Sequence, residues 1–390
     1  MVKRSGRMKS LLVLCLVLVF VSEIKSQKLA DAISFSTKVT GDFIYNHTGG
    51  IKKGYTYIGM EDFTINLSTE TAGWWKGGNF FLHGLNGHGV GFSENYSGDL
   101  QVLSNIEAGD YTGLYEYYYS QDLGRFTFLF GQHDLNSEFI GTKYGGTFVN
   151  SSFGIAPSIS LNVPVSIYPV AAPCIMVKYL TPSGFTYKVA TYDGNPGDFE
   201  SNRFNVQWNI NSHEGFFSIT EVEYNQVLGE RSVSTYKAGT YYHSGEFVNY
   251  SDTSRLSKGN YGFYAIIDRP LFANSLGAGR GLCFFIQAGV APQKFNMVSN
   301  YIGAGFRYHG ILPNRFYDEL GIAFARIGVG NDYYNSFRPV KKAETAIEAT
   351  YRFVFGRRYT LQPCMQYIID PGFGAYGSSL VSLLRFSLEY

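Results

Sequence analysis

Charge is scarce in this chain. Only 16% of its 390 residues are Asp, Glu, Lys or Arg, against roughly a quarter in water-exposed domains, so much of the surface must face something other than water. Long apolar runs are missing as well. Beyond the N-terminus none reaches the roughly eighteen residues that a spanning helix needs, which excludes helical membrane spans. The seven histidines are scattered, with no H-x-x-x-H and no H-E-x-x-H, so neither a metal site nor a cofactor is expected. Cysteine is limited to four residues. Cys15 lies in the N-terminal leader, and Cys174, Cys283 and Cys364 fall on strands that are not neighbours. A disulfide needs Cα atoms within about 7 Å, so free thiols are expected. No basic excess exists either: residues 1–26 hold five Lys/Arg and one Glu, so a whole-chain charge of +1 leaves about −3 for the remainder. That balance gives no electrostatic case for nucleic acid.

What is abundant is glycine, with 45 residues, and aromatic side chains, at 17%. Together with low charge and no spanning helix, these point to a transmembrane β-barrel. Lys3, Arg4, Arg7 and Lys9 precede the apolar run Leu11–Val21, and Ser26 precedes Gln27. Residues 1–26 therefore read as a secretory signal peptide, although Ile24 departs from the small residue preferred before the cut. Residues 27–390 form one domain.

From Ile33 onward, alternation with aromatic and β-branched content gives about sixteen strand candidates. Their connections alternate. One rim has tight links such as Asp122–Gly124, Pro182–Ser183 and Gly356–Arg358, while the other has long polar ones at 89–111, 134–172, 194–215 and 244–259. That asymmetry belongs to outer-membrane barrels; a longer link at Asp268–Arg280 breaks it on the tight side. The strands read apolar outward and polar inward. Ile347, Tyr351, Phe353 and Phe355 oppose Glu344, Glu348, Thr350 and Arg352, and Leu384, Phe386 and Leu388 oppose Arg385, Ser387 and Glu389. Phe216–Val227 reads either way, with Glu221 and Glu223 deciding its inward face. The expected fold is thus all-β, an antiparallel up-and-down barrel of about sixteen strands. A soluble sandwich would need apolar facing sets where these are polar.

The longest link runs from Asp134 to Ala172. It holds no sustained period but carries Phe148, Phe153, Ile155, Ile159, Leu161, Val163, Val165 and Ile167. A loop that apolar must pack against something, and in a barrel the place available is the interior, as a constriction. The segment FVNSSFGIAPSISLNVPVSIYPVAA, with FGQHDLNSEF before it, VATYDGNPGDF after the seventh strand and TLQPCMQYIIDPG near the end, resembles the carbohydrate-selective porins of Gram-negative outer membranes. The resemblance covers nearly all of 27–390. It implies a sixteen-stranded outer-membrane porin through which small sugars diffuse passively, with the third outer loop folded inward. It also matches Asp134, Asn136, Phe139, Asn150, Ser151, Ser152, Phe153, Asp193 and Gly194 to the family pattern around the constriction.

Asp134, Asn136 and Asp193 have a plainer role open to them, because Asp and Asn at loop entries commonly cap turns. Arg125, Arg307, Arg352 and Arg385, opposite Glu116, Glu344, Glu348 and Glu389, offer a polar ladder for hydroxyl groups, or simply paired charges that stiffen the wall. A general or anion-preferring porin is the alternative within transport, and a barrel enzyme or plugged receptor the alternative outside it. The one suggestive catalytic pair, His133 and Asp134, consists of adjacent strand residues that point to opposite sides. Small sugars, outer-membrane lipid and the barrel-insertion machinery, which reads a terminal aromatic such as Tyr390, are the expected partners.

Overall fold

A computed structural model describes residues 27–390 apart from 200, 230–231 and 274–279. The expected signal peptide and Cys15 lie outside the described residues. A short helix, Gln27–Ala32, leads into β1 (Ile33–Gly50), β2 (Gly54–Ser68), β3 (Gly78–Gly89), β4 (Tyr111–Leu123), β5 (Phe126–His133), β6 (Ala172–Leu180), β7 (Phe185–Asp193) and β8 (Phe216–Gly229). The second half comprises β9 (Ser232–Val248), β10 (Leu256–Ala273), β11 (Gly281–Val290), β12 (Val298–His309), β13 (Glu319–Val329), β14 (Ala343–Phe355), β15 (Tyr359–Ile369) and β16 (Gly377–Glu389). Each strand pairs with its sequence neighbours, and β1 pairs antiparallel with β16, so the sheet closes. Closure leaves no free edge strand, a condition for crossing a bilayer in extended conformation.

Parity along the strands follows the residue pattern. On β14, Ile347 and Ala349 are exposed on the outer face while Glu344, Ala346, Glu348 and Thr350 are buried inside. On β15, Tyr359, Leu361, Met365 and Tyr367 face out and Gln362, Cys364 and Gln366 face in. Cys174, Cys283 and Cys364 are buried and unpaired on β6, β11 and β15.

Three sequence expectations need correction. Arg125 is not in a strand: Gly124, at φ +65°, and Arg125 form the two-residue turn between β4 and β5, and Arg125 is exposed at the rim. The first part of the long link at Asp268–Arg280 is strand, because β10 continues to Ala273 through a register shift between Pro270 and Phe272. Proline cannot donate to the ladder, so the bulge accommodates it and hides the strand's period. The inner wall is also not polar throughout. Met176, Tyr192, Phe217, Ile219, Tyr241, Tyr264, Phe285, Tyr301 and Ile327 are buried within one cluster shared with the third outer loop.

The exposed outer belt predicts a depth-dependent penalty. Phe324→Arg, mid-strand on β13, should lower stability by about 2–4 kcal/mol, and Tyr317→Arg in the turn before β13 by about 0–1 kcal/mol. Reversible urea unfolding in lipid bilayers would read both, and equal costs would contradict a lipid-facing belt.

Candidate functional site

Residues 134–171 leave the wall after His133 and enter the barrel. Entry is set locally: the Asp134 carboxylate accepts from Asn136 N at 2.8 Å and caps the short helix Leu135–Glu138. From there the chain travels around the inner circumference, and successive strands hold it with buried carboxylates. Glu116 on β4 accepts from Asp134 N at 2.9 Å, and Glu221 on β8 from Ile140 N at 2.9 Å. Asp268 on β10 accepts from Lys143 N, Tyr144 N and the Thr142 hydroxyl. Glu319 on β13 accepts from the Thr147 hydroxyl, and Glu348 on β14 from Val149 N at 2.8 Å and Asn150 N at 2.9 Å. The returning half is held by neutral groups. Gln287 on β11 donates to Phe153 O, the Tyr301 hydroxyl on β12 to Ser152 O, and the Tyr241 hydroxyl on β9 to Ser158 O. An irregular loop leaves backbone N–H groups without helix or sheet partners, and unmet ones are costly when buried. The wall carboxylates meet that need.

Between these anchors the loop presses its apolar side, including Leu135, Phe139, Ile140, Phe148, Phe153, Ile159 and Val163, onto the apolar inner wall. Its other side stays open: Ser137, Lys143, Gly146, Gly154 and Pro164 are exposed, and Asn136 and Ser151 are half-buried. The second outer loop, residues 90–110, is fixed in the same way. Glu344 accepts from Leu100 N, Gln101 N and Gly372 N, and Ser104 donates to Asp42.

The residues singled out from sequence are therefore divided. Asn150 and Ser152 are buried: the Asn150 side chain accepts from Ser152 N and donates to Gln366, and the Ser152 hydroxyl donates to Gln101. Asn136 donates to Phe139 O and Gly154 O, bracing the loop. Glu116, Glu344 and Glu348 lie beneath the loops. Arg385 grips Asp42 through Nε at 2.7 Å and Nη2 at 2.8 Å, joining β16 to β1 across the closure. Arg307 and Arg352 meet at Glu319, at 3.1 and 3.6 Å. Asp193 ends β7 on the outward parity shared with Val189 and Thr191, away from the constriction. Glu389 is exposed at the rim.

Sequence reasoning missed Asp42, Glu221, Asp268 and Glu319 as anchors, although it read Glu221 as inward-facing. It also did not assign to the solute path the charges that keep access to water on the turn side of the loop: Asp62 with His83, Lys178 with Glu138, and Lys237 with Glu223. The inward parity of those on strands was legible, but which of them the loop would cover was not, and Glu138 comes from the loop's own short helix. The His133 ring bonds Tyr192 OH at 3.0 Å and Ser137 Oγ at 3.1 Å rather than the Asp134 carboxylate.

A closed barrel constricted by an infolded, wall-anchored third loop is the architecture of a diffusion channel. A family model described as carbohydrate-selective porin, OprB family, matches residues 52–388. The chain belongs to that family. Among curated proteins it is 22% identical over 394 residues to Porin B of Pseudomonas aeruginosa, covering 89% of this chain and 85% of that protein. Among solved structures it superposes on the high-pH structure of Pseudomonas putida OprB with a TM-score of 0.84 at 20% identity, covering 95% of this chain and 97% of the other. The outer membrane channel DcaP of Acinetobacter baumannii follows at TM-score 0.54 and 10% identity, over 92% and 97%. This family member is an outer-membrane porin for small carbohydrates, and membership and fold imply a channel without enzymatic chemistry.

Two groups in the loops are shifted by their surroundings. Burial, with the Glu116 charge beside it, pushes Asp134 up to about 7. Burial, with Asp99 nearby, pushes Glu107 up to about 8 from 4.5 while Ser93 N donates to it at 2.9 Å. A carboxyl group raised on folding contributes stability that is complete below its unfolded value and is lost as pH rises through the folded one. Proteolysis of the second outer loop should therefore be slow near pH 5 and accelerate through pH about 8, a dependence that Glu107→Gln would flatten. For the third loop, Glu348→Gln should cost about 1.5–3 kcal/mol by weakening two charge-assisted bonds. Faster cleavage between 143 and 154 and noisier single-channel current would report it, whereas unchanged cleavage would argue against anchoring.

Proposed function

We propose that solutes pass between the open side of the third loop and the wall, then descend along the water-accessible inward charges toward the turn-side rim. The observation that carries this reading is the division of the loop into an apolar, wall-bonded side and an open side of Ser137, Lys143, Gly146 and Gly154. A sugar ring offers hydroxyls around its edge and apolar C–H patches on its faces. It matches a surface of hydroxyls, amides and exposed backbone followed by charges of both signs. Asn136 and Ser151 border the open side, and Glu138, Lys178, Glu223, Lys237, Arg307 and Arg352 form the charged descent. Glu116, Glu344, Glu348, Asn150, Ser152 and Arg385 act indirectly, by fixing the shape of the opening. The mixture of signs supports passage of neutral solutes over a strong ion filter.

Passage beside the loop predicts a size effect at one glycine. A Cβ on Gly146 would meet nothing within 4 Å, so a side chain placed there by Gly146→Trp starts out into open space. Liposome swelling with mono-, di- and trisaccharides should show trisaccharide and disaccharide entry falling first and most. Unchanged rates for all three would place the path elsewhere, and a preference for salts over sugars in planar bilayers would favour an ion porin.

A further inference from the structure

We infer that residues 204–210 of the fourth outer loop lie over the outside of the barrel and form a contact surface for the hydrocarbon chains of the surrounding bilayer. The cause is the inward departure of the third loop. Because the chain leaves the wall at His133, β4 pairs with β5 only as far as Tyr117 opposite Gln132, and the outer part of β4 lacks a partner on that side. The fourth loop returns across this seam. Phe204 O accepts from Leu114 N at 3.0 Å, Asn205 O accepts from Gln132 Nε2 at 3.1 Å, and Asn205 Nδ2 reaches Ala171 O.

The segment lies on the outer face, as its aromatic neighbours show. Trp208 stacks on Tyr117 at 5.8 Å and 10°, and meets Phe130 edge-on at 5.9 Å. Phe130 belongs to the exposed outer row with Phe126 and Phe128, and Tyr117 shares the outward parity of Tyr119 on β4. Phe204, Val206, Trp208 and Ile210 are 56, 51, 37 and 70% exposed, while of the residues between them Asn205 is buried against the wall and Gln207 and Asn209 are exposed. Four large apolar side chains in period two, continuous with the aromatic belt of the wall, are hard to reconcile with bulk water.

Asn202 holds the start of the segment in place. Asn205 N donates to Asn202 O, and Asn202 Oδ1 accepts from Val206 N and Gln207 N. Asn202 Nδ2 donates to Gln207 O, and the Trp208 indole N–H donates to Gln132 Oε1 at 3.2 Å.

Trp208 supplies the probe, since the chain holds only two other tryptophans, Trp74 and Trp75, in the turn between β2 and β3. The full mature chain is reconstituted in phosphatidylcholine vesicles with or without bromine on the acyl chains, and its fluorescence is compared in Trp74→Phe/Trp75→Phe. The same quantity follows independently as wild type minus Trp208→Phe, should the double variant fail to assemble. The expected result is blue-shifted emission that loses intensity in brominated vesicles and resists aqueous iodide. Quenching by iodide would overturn the inference. Resistance to both quenchers would overturn it as well, by showing the segment covered by a second protein copy.

Discussion

A buried carboxylate on the inner wall facing a backbone N–H of the third loop is the interaction on which the channel depends. Without it, a loop of this length inside a barrel would carry unmet N–H groups into an apolar cluster, and exposure to water would be favoured. With it, each anchor satisfies donors that nothing else reaches and fixes the loop at a defined distance from one strand. Glu116, Glu221, Asp268, Glu319 and Glu348 occur in the order in which the loop passes their strands, so the shape of the opening is set around the circumference. Charge-assisted bonds of this kind are individually stronger than neutral ones. Their number explains how an element with no helix longer than one turn holds a constriction.

The same displacement has consequences outside the pore. When the third loop leaves the wall it takes with it the backbone that would have continued the pairing of β4, and the fourth loop crosses the outer surface to meet those groups. Both irregular segments match backbone polar groups that a neighbouring strand would otherwise have paired. The inward loop does so with side-chain carboxylates, and the outward strap with Asn202, Asn205 and Gln132. The β-bulge on β4, where His83 pairs with Glu116 and Gly84 with Leu114, serves the inner task by turning both Tyr115 and Glu116 inward, beneath the loop entry.

Much of the wall was legible in the residues because its two faces meet different solvents. Lipid outside and polar groups inside impose a period of two, and β14 and β15 show it without ambiguity. Phe216–Val227 was ambiguous for a physical reason: Phe217 and Ile219 face inward with Glu221 because the third loop covers them. An inner wall that is part water-lined and part loop-covered erases the contrast that alternation relies on. The bulge at Pro270 concealed the end of β10 in the same way, by interrupting the period rather than the strand.

The sequence by itself determined the barrel, its strand number, the asymmetry of its rims and the identity of the loop that must fold inward, since each follows from local periodicity and the apolar content of one long connection. Only the tertiary structure decided which inward charges hold the loop and which remain in water. Glu348 and Arg352 lie two turn-ward steps apart on a single strand face, with Thr350 between them, yet one is sealed under the loop and the other meets solvent. Parity tells which face a side chain is on. Depth relative to a segment packed from elsewhere in the chain is a property of the assembled barrel alone.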